Sequence, residues 1–461
     1  MSSPATDSQI HPASYRDPAG FVFTAGGTLY RQVNRGYAGA YDRLMQSGLY
    51  DKLAGEGLLI PHEETTSGLA CTPEAYKILH PRRVCTVSYP SEWSPTQLRD
   101  AALLTLRIQS LAMEHGMSLK DATPFNVLFD KAKPVFIDTL SFEVYDASKP
   151  WVGYRQFCEC FLFPLYLHYY SGLGTHKVAM AWPEGIAAGT TARLLPWKSH
   201  WSAGAWMHVH LQARMAARGG AGDGKGFGFS QVKLMRLIGH LQSLVAGLIP
   251  EARGHSKWSN YYDETIPSTE YLRSKEQVFR EYLGDMSFGD ALDLGSNEGW
   301  FARIVAEKGK PVIAVDADWS CIDRLYRKGT AEILALCVDL ADPTPASGFG
   351  GAERDSFTSR AASDLVIALA LVHHLAIADN VPLPLIAGYL SELTRSKLII
   401  EFVPASDSKA QVLAARKDKA LLEGYDAAHF ETAFARHFRL EKTDPVPGTD
   451  RTLYLMTKLQ R

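Results

Sequence analysis

Hydrophobic and polar positions follow two different rhythms along this chain. From Asp290 onward, short apolar runs alternate with amphipathic stretches. ALDLG, PVIAVDAD, ILALCVDLAD, DLVIALALVHH and KLIIEFVP read as strands, and WFARIVAEKG and SCIDRLYRKG read as helices between them. Strands alternating with helices imply βαβ units, a parallel sheet and right-handed crossovers. The pattern therefore predicts a doubly wound α/β domain with its ligand at the carboxyl ends of the strands. Tyr425 to Phe438 reads as an amphipathic helix, and TLYLMTK as a terminal strand closing the sheet edge. The long polar stretch DPTPASGFGGAERDSFTSRAASD, between the third and fourth strands, is expected to be a mobile surface insertion.

Upstream, the pattern is mixed. FVFTAGGTLYRQV reads as a hairpin turning on Gly26 and Gly27. Ser94 to Gly116 reads as a long helix with apolar residues at i, i+3 and i+4, and FNVLF and PVFID as short strands joined by DKAK. RGGAGDGKGFGF, Arg218 to Phe229, is too rich in glycine for helix or core strand and reads as a flexible connection. Helical spacing follows over Gln231 to Ile249, and Ser268 is a candidate N-cap ahead of Tyr271 and Leu272. These joints predict a disordered tail over 1–18, an α+β domain over 19–217, a linker and helix over 218–267, and the α/β domain over 268–461.

Composition narrows the function classes. Of 461 residues, 46% are hydrophobic and 21% charged, which fits a globular chain with a real core. Lys plus Arg is 48 against 50 for Asp plus Glu, so no global basic field points to nucleic acid or an acidic membrane. The most apolar run, Phe157 to Gly172, is too short to span a bilayer and contains Glu159 and His168. The first residues show no signal-peptide pattern, and six Cys without a CxxC pair indicate neither zinc nor a disulfide framework. A cytoplasmic protein with no membrane partner is expected.

The most restrictive signal is ALDLGSNEGWF. An acidic residue, Asp293, ends a strand. Gly295, Ser296, Asn297 and Gly299 then form a tight turn that opens a helix. Glycine permits positive φ, and asparagine tolerates it next best; the helix start would offer unpaired N–H groups to an acidic ligand group. Seventeen positions beyond Gly299 the next strand ends at Asp316, followed by Ala317, placed to accept from both hydroxyls of a ribose. At the end of the third strand Asp339 could accept from an adenine amine while Leu340 packs on the ring. This series resembles the class I S-adenosylmethionine (SAM)-dependent methyltransferases: DLGSNEG is similar to their DxGxGxG turn, with Asn297 where the middle glycine is commoner. The resemblance implies a Rossmann-like fold, SAM as cofactor and methyl transfer. A nicotinamide-binding domain would require GxGxxG, which this turn does not supply.

Methyl transfer needs an aligned acceptor, exclusion of water and, for a poor nucleophile, a base; it needs no metal. His373 and His374 follow the fourth strand, and an imidazole there could serve as general base or could cap and pack the next helix. Glu401 is a second candidate, as base, as substrate anchor, or as a carboxylate satisfying backbone donors. Asp407 belongs to the same cleft, and Arg451 faces either the cleft or solvent. The expected acceptor is an O or N atom of a small-molecule or carrier-linked metabolite.

In the first half, Asp121, Asn126 and Asp138 have the order D-x4-N…D, which resembles the catalytic loop and metal-binding Asp of protein-kinase-like phosphotransferases. That resemblance implies a kinase-like α+β domain, with Asn126 and Asp138 holding magnesium only if its site is active. The usual HRD is LKD, the DFG-like site is IDT, and Arg31 is the nearest basic residue to a phosphate-gripping Lys. A catalytically altered scaffold is the preferred reading, and an ATP/Mg-dependent phosphotransferase or a non-catalytic nucleotide-binding module are the alternatives. Taken together, SYPSEW, SLKDATPFNVLF, PVFIDTLSFE, WVGYRQFCECFL and DLGSNEGWF resemble a group of bacterial two-part methyltransferase-like proteins that includes a rhizobial nodulation protein.

Overall fold

The computed structural model describes residues 8–65, 67–217, 230–248, 269–415, 417 and 423–460. The expected connection over Arg218 to Phe229 and the expected cap at Ser268 lie outside them. The chain forms two compact units, Met1–Ala252 with Ala346–Arg354, and Arg253–Pro345 with Asp355–Arg461.

The first unit carries strands β1 (Ser8–Ile10), β2 (Gly20–Ala25), β3 (Thr28–Asn34), β4 (His62–Thr65) and β5 (Ala75–Pro81) in one antiparallel sheet, ordered β1-β2-β3-β5-β4. Gly26 and Gly27 take φ of 54° and 75°, which the two-residue turn between β2 and β3 requires. Helix α1 (Pro95–Glu114) starts at a capping box in which the Ser94 side chain accepts from the Gln97 N–H and Gln97 reaches back. Two short pairs follow it: β6 (Met117–Leu119) with β9 (Phe142–Val144), and β7 (Val127–Asp130) with β8 (Lys133–Phe136).

Three expectations are corrected here. Residues 8–18 are not a disordered tail: β1 pairs with β2, whose outer backbone groups need partners, and Asp17 accepts from the Ala19 N–H and from Lys120. The expected helix, α2 (Gln231–Gly247), belongs to the first unit rather than to a separate segment over 218–267. It buries Leu234, Ile238, Leu241 and Val245 and packs on α1, with Gln231 donating to the Met113 carbonyl at 2.8 Å. The expected mobile insertion is ordered, and its residues Ala346–Arg354 fold into the first unit. There Glu353 accepts from Tyr15 at 2.5 Å and Arg16 at 2.7 Å, and the Arg354 guanidinium lies 4.7 Å from the centre of the Phe125 ring. A polar composition hid a segment held by ion pairs and hydrogen bonds rather than by apolar burial.

The second unit is the expected α/β domain. Helix α3 (Thr269–Leu283) precedes β10 (Ala291–Leu294), α4 (Trp300–Ala306), β11 (Val312–Asp316), α5 (Trp319–Arg327) and β12 (Ile333–Cys337). Then come β13 (Ser363–Ala368), α6 (Leu383–Leu393), β14 (Thr394–Phe402), α7 (Ser408–Ala414), α8 (Ala427–Phe434), β15 (Phe438–Pro445) and β16 (Thr452–Lys458). The seven strands run β12-β11-β10-β13-β14-β16-β15, with the first five parallel and β16 antiparallel to both its neighbours. TLYLMTK is thus an inner strand, and β15 forms the edge. Charged, exposed edge strands resist further pairing, and β15 shows the apolar alternation of a half-buried strand only weakly. No helix among the described residues is long and apolar enough to cross a membrane.

Candidate functional site

Neighbouring strands β10 and β13 send the chain in opposite directions across the sheet, β10 toward β11 and β13 toward β14. Such a reversal leaves a crevice beyond the carboxyl ends of the two strands. A cavity of about 360 Å³ lies there, within the size range of small-molecule and cofactor sites. Asp293, Gly295, Ser296 and Asn297 line it from the first turn, Asp316 and Ala317 from the end of β11, and Asp339 and Leu340 from beyond β12.

The turn has the conformation its composition demands: φ is 70° at Gly295, 50° at Asn297 and 75° at Gly299. Gly299 is not a lining residue. A Cβ there would fall 2.5 Å from Leu325 Cδ1, so this glycine lets the start of α4 approach α5. The turn's N–H groups are also not left open for an acidic ligand, as was expected. Asn297 N–H donates to Asp316 Oδ2 at 2.9 Å, Glu298 N–H to Asn297 Oδ1 at 2.7 Å, and Gly299 N–H to the Ser296 carbonyl at 2.8 Å.

Asp316 is therefore fixed from both sides, because Asp318 N–H donates to Oδ1 at 2.8 Å. Each oxygen keeps a second lone-pair direction for a ligand hydroxyl. Burial pushes its carboxyl up to about 6, against the pull of those two N–H groups. Burial likewise pushes Asp293 up to about 7; a backbone bond from Ala302 opposes this, the Asp316 charge adds to it, and Lys275 opposes it. Asp339 Oδ1 accepts the Ala341 N–H at 3.0 Å.

The two histidines part company. His374 lines the cavity, whereas His373 is fully buried, does not line it, and neither ring nitrogen meets a hydrogen-bonding partner among the described residues. Burial, then the neighbouring His374 and Arg451, hold His373 well below the ordinary imidazole range. Burial and Arg451 lower His374 to about 4, so it is neutral at physiological pH. His373, expected as a base, does not reach the cavity: its ring is buried against the His374 ring, with centroids 4.2 Å apart, and only His374 lines the opening.

Glu401 does not reach the cavity either. It is fully buried, accepting from Lys275 Nζ at 2.5 Å and from the Tyr271 hydroxyl at 3.1 Å, with Arg451 Nη1 3.8 Å away. Its partners are side chains, not the backbone donors considered above. Arg451 also donates to the Tyr271 hydroxyl at 2.7 Å and grips both Asp407 oxygens, at 2.8 and 3.1 Å. Burial works against the Asp407 charge, but Arg451 holds that carboxyl below its usual value. Burial lowers Lys275 although Glu401 opposes the shift. Tyr271, Lys275 and Arg451 all face the cavity, so Glu401 and Asp407 act as its supports.

Sequence reading missed Lys275, Asp379 and Ala370 as lining residues. Lys275 stands one helical turn after Tyr271, a spacing visible in the sequence, but its partner lies 126 positions away. Ala370, with φ of 50°, is a non-glycine residue held in the left-handed region directly beyond β13.

In the first unit, Asp138 accepts from Arg31, from the Ser141 hydroxyl and from Leu140 N–H, and Asn126 donates to Ser141 Oγ at 2.9 Å. Burial raises the Asp121 carboxyl, with Gln156 and Asn126 opposing the shift. Asp138 is held below its usual range by Arg31 against its own burial. Asn126 and Asp138 share the Ser141 hydroxyl, and the Arg31 guanidinium pairs with Asp138.

No family model matches the chain. The nodulation protein NoeA of Rhizobium meliloti (strain 1021) is 30% identical over 454 residues, covering 96% of this chain and 94% of that protein. Among solved structures, the N-methyltransferase NodS from Bradyrhizobium japonicum WM9, in complex with S-adenosyl-L-homocysteine, is 14% identical. It covers 45% of this chain and 94% of its own, with a TM-score of 0.32. The magnesium protoporphyrin IX methyltransferase ChlM from Synechocystis PCC 6803, with bound SAM, is 13% identical over 45% of this chain and 87% of its own, with a TM-score of 0.30.

Proposed function

The chain belongs to the family of the nodulation protein NoeA, and from that premise we propose that its second unit is a SAM-dependent methyltransferase acting on an O or N atom of a small-molecule or carrier-linked acceptor. One observation carries the reading. Asp316 stands at the switch-point cavity with its carboxylate pinned by two backbone N–H groups, beside a turn whose left-handed residues let a ligand approach the backbone.

The residues fit the cofactor. Ser296 Oγ is buried on the cavity wall without a hydrogen-bonding partner among the described residues, a donor and acceptor awaiting a ligand group. At Gly295 a Cβ would take up space 3.4 Å from Leu371 Cδ1, on the floor of the same cavity. Asp316 would hold the ribose hydroxyls, Asp339 the adenine amine, and Leu340 the ring face. When bound, SAM supplies an electrophilic methyl on a sulfonium that leaves as a neutral thioether.

The remaining work falls to the protein. A nitrogen acceptor attacks as the free amine and departs protonated; for an oxygen acceptor, His374, neutral and facing the cavity, accepts the proton that the oxygen loses as its new bond to carbon forms. A weak base suffices, since alkylation makes that proton strongly acidic. Tyr271, Lys275 and Arg451 are held by Glu401 and Asp407, so they orient the bound molecules without rearranging. His374→Gln is expected to lower turnover by about a hundredfold with little change in SAM affinity. His373→Leu, at a buried site, should alter stability first; equal turnover of His374→Gln and the parent would remove the base from the scheme. In the first unit, the Asp121, Asn126 and Asp138 cluster serves as a structural network in this reading, because Arg31 already neutralises Asp138.

Titration calorimetry of the full chain tests the proposal. SAM and S-adenosylhomocysteine should bind, and affinity should rise between about pH 5 and about pH 8 as Asp316 and Asp293 ionise. The sign follows from linkage. Both carboxyls are raised above their unfolded values, so the free protein holds protons that the unfolded chain has released. Free-protein stability therefore falls as pH rises from about 4 to about 7, and a ligand that bonds the ionised carboxylates recovers it. Binding of ATP with magnesium in place of SAM would overturn the reading.

A further inference from the structure

The first unit carries an exposed aromatic surface that the methyl-transfer reading does not use. Trp197 and Trp201, on one short helical turn, expose 72% and 78% of their surface, with ring centroids 5.5 Å apart. Large indole rings are seldom left in water. Leu194, Tyr169, Trp206 and Met207 of the same unit are also exposed. Lys198 joins the turn to this surface, its Nζ 5.8 Å from the centre of the Tyr170 ring, which packs against Tyr169.

The platform is rigid. Ser199 is fully buried and shares a 2.8 Å hydrogen bond with His210, while the His200 ring stacks on His210 with centroids 3.8 Å apart. The tryptophans thus project from a fixed base.

Charge identifies the occupant. From Cys160 to Ala217 the chain carries Lys177, Arg193, Lys198 and Arg214 against the lone acid Glu184, although the whole chain has a net charge of −2. Among the described residues none of these four bases is in an ion pair. We propose that this face docks on an anionic lipid bilayer surface, with Trp197 and Trp201 entering the headgroup region and Arg193 and Lys198 meeting lipid phosphates. Indole rings favour the boundary between headgroups and acyl chains, and adjacent basic side chains add attraction to anionic lipid. Rings that stand out by three quarters of their surface suit a deformable bilayer better than a protein, which would need matching pockets. The earlier expectation of no membrane partner rested on spanning length and net charge, neither of which registers a local surface.

The test is sedimentation of the full chain with vesicles of phosphatidylcholine alone and of phosphatidylcholine mixed with phosphatidylglycerol. Binding is expected to the mixed vesicles, with a blue shift of tryptophan emission and weakening at high salt. Trp197→Ala/Trp201→Ala and Arg193→Gln/Lys198→Gln should each weaken it by about tenfold or more. Should the tryptophan variant lose its fold, the charge variant decides alone. A chain that stays in the supernatant with mixed vesicles overturns the proposal, as does undiminished binding by the charge variant. So does a dimer by light scattering that the tryptophan variant dissociates, since a second copy would then cover the face.

Discussion

Asp316→Ala is expected to weaken SAM binding by about a hundredfold or more, the largest effect on affinity of any single change at the cavity. A hydrogen bond to a charged group contributes about 1.5–3 kcal/mol, and two ribose hydroxyls would each lose one; about 1.4 kcal/mol is tenfold in affinity. The damage extends to the turn, because the Asn297 and Asp318 N–H groups lose their acceptor together. Asp316→Asn keeps the shape and one acceptor oxygen, so it should fall between the parent and the alanine variant, and its affinity should lose the lower part of the pH dependence, leaving that of Asp293. Calorimetry at one salt concentration measures all three, and an alanine variant that binds like the parent would sink the assignment of this carboxylate to the ribose.

The largest effect on stability is expected at Glu401. Glu401→Ala leaves Lys275 buried without its counter-charge, and removing one partner of a buried ion pair costs about 3–5 kcal/mol. Arg451 is buffered, since Asp407 still holds it through two bonds. The readout is a lower denaturant midpoint for the second unit. Lys275→Met/Glu401→Leu should recover much of that loss, because two apolar groups remove the desolvation penalty together. Its SAM affinity or turnover should nevertheless stay impaired, as Lys275 faces the cavity. If the double variant were as unstable as the single one, packing rather than charge would explain Glu401.

Some features were legible because local chemistry leaves few options. The turn of Gly295, Asn297 and Gly299 reads clearly since only such residues accept its positive φ, and the parallel strands read clearly because both their faces are apolar. β15 could not be read that way, being a largely polar edge strand. The tryptophans at 197 and 201 mislead any rule that buries large apolar residues.

By itself the sequence determined the alternation of strands and helices in the doubly wound core and the acid at the end of β11, because hydrophobic period and backbone sterics act over a few neighbouring residues. Only the tertiary structure decided that His374 and not His373 reaches the cavity, that Glu401 supports Lys275 and Tyr271 rather than a substrate, and that residues 346–354 fold into the first unit. Each of those depends on which distant group meets a side chain as water is excluded, and burial and charge pairing between remote positions leave no periodic trace along the chain.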